Sequence, residues 1–326
     1  MPEDRGKYFI FVGGAPRSGT TLVQNILDSH PDILGGPEFM HLQDIMQLRK
    51  KMHNSIQKRR IDLYCSYEDV DKQISLFIEN IFIPFIKKYG GKILSEKTPG
   101  NVFVFTELME LFPTSRYIHV VRDPRAIVAS MLQVGKRAKH SKEVKTQLFT
   151  YSATAAINYI KRCFDIGFEV SRNAPDKVLT VVYEKLVIDP VSETKKICKF
   201  LDLDWSHDMI FPDKKNHLGE EAITHTEIWY DKDSYKRAPI SSEIYKWKKQ
   251  LNVIQKAIIF FSFFNYQELA ELGYNISLKN IGMTTKIIYL SIGITWHLIY
   301  NFFHFFYRFI RKAPNIIYSK AASSKN

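Results

Sequence analysis

The sequence predicts an α/β protein, a P-loop-like parallel sheet flanked by helices, followed by a C-terminal hydrophobic and amphipathic helix. Three observations carry that reading. The apolar run Tyr8-Phe9-Ile10-Phe11-Val12 enters a glycine turn at Gly13-Gly14 and then a helix that opens with hydroxyl residues, Thr20-Thr21. Short apolar strands and helical patterns then alternate along the chain, which implies right-handed β-α-β crossovers and a parallel sheet. Polar clusters at Arg17, Lys97 and Arg122 each follow such a strand, at the carboxyl ends where open α/β sheets place their ligands.

Each element has its own signal. Leu22 to Ser29 continues the first helix, and His30-Pro31-Asp32 breaks it, with His30 capping the turn. Gly35-Gly36-Pro37 is a stiff turn that presents Glu38 close in sequence to the glycine loop. Helical patterns run from Met40 to Lys51 and from Val70 to Tyr89, where Gly90-Gly91 is a stop. A short strand, Lys92 to Leu94, ends in Ser95-Glu96-Lys97-Thr98-Pro99, a helix follows over Phe103 to Phe112, and Ser115 to Arg122 is a buried strand. Within it, His119 reads as a satisfied core histidine. Arg122 beside Asp123 reads locally as an ion pair, worth about 0 to 1 kcal/mol if exposed. Val178 to Tyr183 is a further strand, Val191 to Leu201 a helix, and Phe211 to Pro239 a polar loop. Helices at Glu243 to Gln250 and Val253 to Leu272 close the body at Gly273.

Composition sets outer limits. With 326 residues, 45% of them hydrophobic, the chain can bury one large core or two modest ones. Cys65, Cys163 and Cys198 are odd in number and far apart, so they read as buried thiols rather than a disulfide frame or a zinc site. Met1 to Lys7 is polar, with no apolar segment of a secretory signal peptide. The net charge is +12, and seven basic residues with no acidic one lie beyond residue 275, leaving +5 for residues 1–275. No stripe of Lys and Arg interleaved with aromatics marks the body, so nucleic acid is not the expected partner.

The glycine loop carries the chemistry. From Gly14 the spacing reads G-x-x-x-x-G-T-T, the P-loop pattern with Thr20 in place of its lysine. That lysine reaches the β- and γ-phosphates in nucleotide triphosphatases, so its absence argues against cleavage of a triphosphate. What remains is a cradle for one phosphate: the N–H groups of residues 17–21, the Arg17 guanidinium, the hydroxyls of Ser18, Thr20 and Thr21, and the positive end of a helix dipole.

Taken in order, several blocks resemble the PAPS-dependent sulfotransferase family, and most closely its tyrosylprotein sulfotransferase branch. They are Gly14-Ala15-Pro16-Arg17-Ser18-Gly19-Thr20-Thr21-Leu22, Leu27-Asp28-Ser29-His30-Pro31, Glu96-Lys97-Thr98-Pro99 and Val121-Arg122-Asp123-Pro124-Arg125-Ala126 through Ser130-Met131. Tyr183-Glu184-Lys185-Leu186, Trp205-Ser206-His207, Tyr245-Lys246-Trp247 and Leu272-Gly273-Tyr274 follow, so the resemblance covers roughly residues 8–275.

The resemblance implies roles. Arg17, Ser18, Gly19, Thr20 and Thr21 would hold the 5′-phosphate of 3′-phosphoadenosine 5′-phosphosulfate (PAPS), and Arg122 with Ser130 its 3′-phosphate, a task suited to a charged fork and a hydroxyl. Tyr183 and Arg237, or its neighbour Lys236, would contact the nucleotide. Lys97 would stabilise the leaving phosphate oxygen without a metal, and Glu38 would be the general base for the acceptor hydroxyl. A carboxylate near pKa ~4.3 is a weak base for a phenol near ~10, so proton loss is late or burial raises Glu38. Where the tyrosylprotein branch follows its glutamate with basic residues, this chain has Phe39-Met40-His41. That run points to a more apolar acceptor pocket and admits a glycan or lipid hydroxyl beside protein tyrosine.

The expected organisation is a catalytic domain over residues 1–275 and a basic tail over 276–326. Residues 287–307 hold no Asp, Glu, Lys or Arg, a length suited to a membrane span. His297, Asn301, His304, Arg308 and Arg311 recur at helical steps, however, and such a polar stripe resembles an in-plane anchor over about 287–311. The expectation is therefore a membrane-associated protein whose catalytic domain is cytoplasmic, with a homodimer left open. Two other functions share the motif: a P-loop small-molecule kinase, and a non-catalytic membrane-bound nucleotide-binding module.

Overall fold

The computed structural model describes residues 6–140, 146–218, 228–229, 244–276, 286–292 and 295. The chain divides into two compact units, Met1–Gln250 and Leu251–Asn326.

The first unit is built on β1 (Phe9–Gly14), β2 (Ile33–Gly35), β3 (Ile93–Lys97), β4 (Arg116–Val121) and β5 (Val178–Val182). They form a five-stranded sheet in the order β2-β3-β1-β4-β5, every pairing parallel. β1 is central, with β3 on one side and β4 on the other. The chain therefore leaves β1 in both directions across the sheet, and the carboxyl ends of β3, β1 and β4 flank a topological switch point.

Burial on both faces explains why β1 is apolar without interruption. Ile10 and Val12 join Ile118, Val120 and Val181 in a core completed by Val23, Ile26 and Leu27 of α1 (Thr20–Asp28) and Ile197, Cys198 and Leu201 of α8 (Pro190–Leu201). The alternate residues, Phe9 and Phe11, face an aromatic layer. Phe9 meets Phe82 of α3 (Tyr67–Tyr89) edge-on at 5.6 Å between ring centres, and Phe11 stacks on Tyr117 at 5.5 Å. Phe105 of α4 (Phe105–Leu111) and the long α6 (Ala153–Asn173) cover the same side.

Local chemistry sets the helix ends. Ser66 and Asp69 form a reciprocal capping box at the start of α3, and Gly90 closes it in the left-handed conformation, φ 74°. Asp189 caps α8, with Pro190 at its first position. α2 (Leu42–Gln57), α5 (Pro124–His140) and α7 (Tyr183–Ile188) complete the helices of this unit that frame the site.

Several boundaries differ from the sequence expectation. Ile33–Gly35 is a strand, not part of a turn, and β3 runs on through Ser95, Glu96 and Lys97 because each of these polar groups is buried with a partner. The helix expected over Phe103 to Phe112 is a 3-10 segment, Pro99–Val104, running into α4. In the second unit, the helix expected over Val253 to Leu272 is two, Val253–Phe263 and Gln267–Glu271, because Tyr266 is extended and packs back on Phe263. His119 is core but not satisfied: neither ring nitrogen has a hydrogen-bond partner, and burial pushes its pKa down to about 3. Asp123 pairs with Arg125 at 2.7 Å and not with Arg122. Residues 286–292 are helical, the whole of the polar tail stripe from His297 to Arg311 lies outside the described residues, and among those described no helix is long and apolar enough to cross a membrane.

Candidate active site

The loop between β1 and α1 turns through two left-handed residues, Arg17 at φ 73° and Gly19 at φ 100°. Gly19 sits at the N-cap of α1 with no capping side chain, so the first-turn N–H groups are not closed off from within the helix. A side chain on Gly19 would run into the ring of Tyr183, which fixes glycine there. Arg17 Nε donates to Ser130 Oγ on α5 at 3.1 Å.

Arg122, at the end of β4, closes this cluster. Its Nη1 donates to the Arg17 carbonyl at 3.2 Å, and its guanidinium lies 4.1 Å from the centre of the Tyr183 ring. Asp123 is turned away: its carboxylate takes a bidentate grip from Arg125, which lies over Trp247 at 4.3 Å, and its N–H donates to Glu184. Arg122 is thereby left out of the nearest ion pair. Arg17, Gly19, Arg122, Ser130 and Tyr183 thus meet at one end of the sheet, although they are drawn from residues 17 to 183. Two buried polar atoms in this cluster, Ser18 Oγ and Arg122 Nε, have no hydrogen-bond partner. Donors in that state suit an anion.

Lys97 occupies the neighbouring strand end and is 2% exposed. Its ammonium donates to Thr21 Oγ1 at 3.3 Å and to Glu38 Oε1, so one cation bridges the phosphate loop and the carboxylate expected to act as base. A buried ammonium costs several kcal/mol unless paired, and these two acceptors offset it. Glu38 is only partly buried. Phe39 packs inward on Phe82 at 5.2 Å while Met40 is exposed. Arg237 and Lys236 lie outside the described residues.

A family model described as the sulfotransferase family matches residues 10–207, more than half of the chain and the whole of the sheet but the first residue of β1. The chain belongs to the sulfotransferase family. Its sequence is 32% identical over 209 residues to a protein-tyrosine sulfotransferase of Drosophila melanogaster, covering 60% of this chain and 38% of that protein. It is 31% identical over 207 residues to protein-tyrosine sulfotransferase 1 of Homo sapiens, covering 62% and 53%. The matched region thus spans about half the length of such relatives, or less. Among solved structures, the sulfotransferase domain of the Synechococcus PCC 7002 olefin synthase superposes with a TM-score of 0.53 at 22% identity, over 77% of this chain and 91% of that one. A mouse sulfotransferase complexed with PAP superposes at 0.50 with 15% identity, over 82% and 89%. Both likenesses concern the fold.

In this chain, three side chains that sequence reasoning did not assign to the site hold the segment bearing Glu38. Gln24 of α1 donates to the carbonyls of Ser95 at 2.7 Å and Gly36 at 3.3 Å. Asp28 accepts the Gly35 N–H at 2.6 Å and faces His217 at 2.5 Å. Glu96, 2% exposed, accepts the Phe39 N–H at 3.0 Å, the Thr98 hydroxyl at 2.7 Å and the Asn101 amide at 2.5 Å. Burial pushes the Glu96 pKa up to about 7; its three hydrogen bonds lower it only in part, and Glu38 nearby raises it further. The one signal available beforehand was a carboxylate flanked by strand residues, a position rarely left without partners.

Proposed function

We propose that this chain transfers a sulfuryl group from PAPS to a hydroxyl acceptor, with Glu38 as general base and Lys97 stabilising the leaving phosphate. The observation that carries the reading is the position of Lys97 Nζ, which bonds to Thr21 in the phosphate loop and to Glu38 at once. A cation so placed lies between the group that would hold the donor and the group that would take the acceptor's proton.

The residues present fit the donor. The Arg17–Thr21 loop would hold the 5′-phosphate, with Ser18 Oγ supplying a buried donor that has no partner. Arg122 and Ser130 would hold the 3′-phosphate, with Tyr183 keeping the Arg122 guanidinium oriented by stacking. When bound, PAPS supplies the electrophilic sulfur and a phosphate leaving group. Lys97 offers its ammonium to the charge that develops on the leaving oxygen, a preorganised electrostatic contribution. Glu38 receives the acceptor proton, an effect typically worth about 10²- to 10⁴-fold.

Protein tyrosine is the acceptor class favoured by the names of the relatives. The exposed Met40 and the absence of basic residues after Glu38 leave glycan and lipid hydroxyls in the assay. The test is incubation with sulfur-labelled PAPS and a panel of peptides, glycans and lipids. Label should move to one acceptor class with the native chain and fall by about 10²-fold or more with Glu38→Gln. Transfer of label at an undiminished rate by Glu38→Gln would refute the assignment. For the tail, the proposal is association with a membrane surface through residues 287–311. Deleting residues 284–326 should release the protein from anionic vesicles while nucleotide binding persists.

A further inference from the structure

We propose that Glu96 is a positioning residue of this site, its buried carboxylate gripping the backbone of the Glu38 loop so that Glu38 is held against Lys97. The proposal rests on the sulfuryl-transfer reading for its kinetic consequence, though the grip itself is visible without it. Glu96 and Lys97 are consecutive on β3, so their side chains leave opposite faces of the sheet. Lys97 meets Glu38 directly, and Glu96 reaches the same loop from the other face through the Phe39 N–H at 3.0 Å. Two adjacent strand residues thus clamp the Glu38-Phe39 dipeptide, one by its side chain and one by its backbone.

The environment of Glu96 favours this role over a packing one. A carboxylate buried in the core is costly, and an apolar residue of similar size would be cheaper at a purely structural position. The groups hydrogen-bonded to it are donors, Phe39 N–H, the Thr98 hydroxyl and the Asn101 amide, whose Nδ2 also donates to the Val12 carbonyl at 3.2 Å, while the nearby Glu38 carboxylate acts on it as a like charge. The 3-10 segment Pro99–Val104 packed against it carries no charge, and across the pairing β1 contributes Phe11. Among the described residues no cation pairs with Glu96, since the Lys97 ammonium is committed to Glu38 and Thr21. The carboxylate oxygens are therefore met by donors, and one of them is the backbone of the residue that follows the proposed base. Phe39 adds a second restraint by packing on Phe82, so releasing its N–H lets the loop pivot on that ring and carries Glu38 away from Lys97.

The experiment compares Glu96→Ala, which removes the acceptor, with Glu96→Gln, which keeps an oxygen for Phe39. Three readouts are taken: hydrogen exchange at the Phe39 amide, thermal protection by adenosine 3′,5′-bisphosphate, and kcat against KM for PAPS with the acceptor found above. In Glu96→Ala the Phe39 amide should exchange much faster and kcat should fall by about 10²-fold, the cost of a misplacement on the ångström scale, with nucleotide protection and KM unchanged. Glu96→Gln should restore both the exchange protection and most of kcat. Unchanged exchange at Phe39 in Glu96→Ala, or faster exchange with unchanged kcat, would overturn the proposal. So would parallel loss of nucleotide protection and kcat, which marks a general structural defect. If the bisphosphate fails to protect the native chain itself, the sulfuryl-transfer reading falls, while the exchange readout still decides whether Glu96 holds the loop.

Discussion

Replacing Glu96 by Gln should remove part of the protein's pH dependence of stability. The folded chain holds the Glu96 proton more tightly than an unfolded chain does, because burial raises its pKa from the ordinary 4.5 to about 7. The stability that this raised value contributes is fully present below about 4.5 and is lost as pH rises through about 7. A difference of that size corresponds to about 3 kcal/mol, and no solvent discount applies because the side chain is buried. Gln does not titrate, so its penalty for facing the Asn101 amide is the same at every pH and drops out of the slope. His119 titrates in the opposite sense across an overlapping range, which makes the variant-minus-native difference the informative quantity. Urea unfolding of both proteins at intervals from pH 4.5 to 8 provides it. The stability of Glu96→Gln relative to the native chain should rise by about 3 kcal/mol across that interval. An offset that stays constant with pH would show that Glu96 is not held in the environment described, and the reasoning that links its burial to the loop would fail.

Two further outcomes follow from the same geometry. Gly19→Ala places a Cβ against the Tyr183 ring at a left-handed φ of 100°, so adenosine 3′,5′-bisphosphate binding should weaken by about 1–3 kcal/mol, measured by calorimetry, with circular dichroism unchanged. His119→Leu removes two buried ring nitrogens without partners, and should stabilise the chain most below pH 6.5. There the native folded state, with its pKa pushed down to about 3, must refuse a proton that the unfolded chain accepts.

What the sequence made legible divides along a physical line. β1, β4 and β5 were readable because both faces are buried and their residues are almost continuously apolar. β2 was not, since three residues ending in glycine and followed by Gly36-Pro37 give no period to detect. The carboxyl half of β3 was hidden for the opposite reason. Ser95, Glu96 and Lys97 look like a solvated loop, and are strand residues because Gln24, the Phe39 backbone and Glu38 each supply a partner distant in sequence. The same limit applies at the site. Arg17, Lys97 and Arg122 could be placed by their positions after strands, while Gln24, Asp28 and Glu96 act on backbone groups 7 to 71 residues away, contacts that no local pattern encodes. Arg122 illustrates the reverse case: its sequence neighbour Asp123 suggested a pair, and the fold gave Asp123 to Arg125 instead.

The central claim is that the cations at Arg17 and Arg122 hold the two ends of a doubly phosphorylated adenosine beside Lys97. Titration calorimetry with adenosine 3′,5′-bisphosphate, its 5′-monophosphate and ATP with magnesium tests it most directly. Saturable binding of the bisphosphate, weakened both by omission of the 3′-phosphate and by Arg122→Ala, is the result predicted. Tighter binding of ATP with magnesium, or no difference between the bisphosphate and the monophosphate, would contradict it.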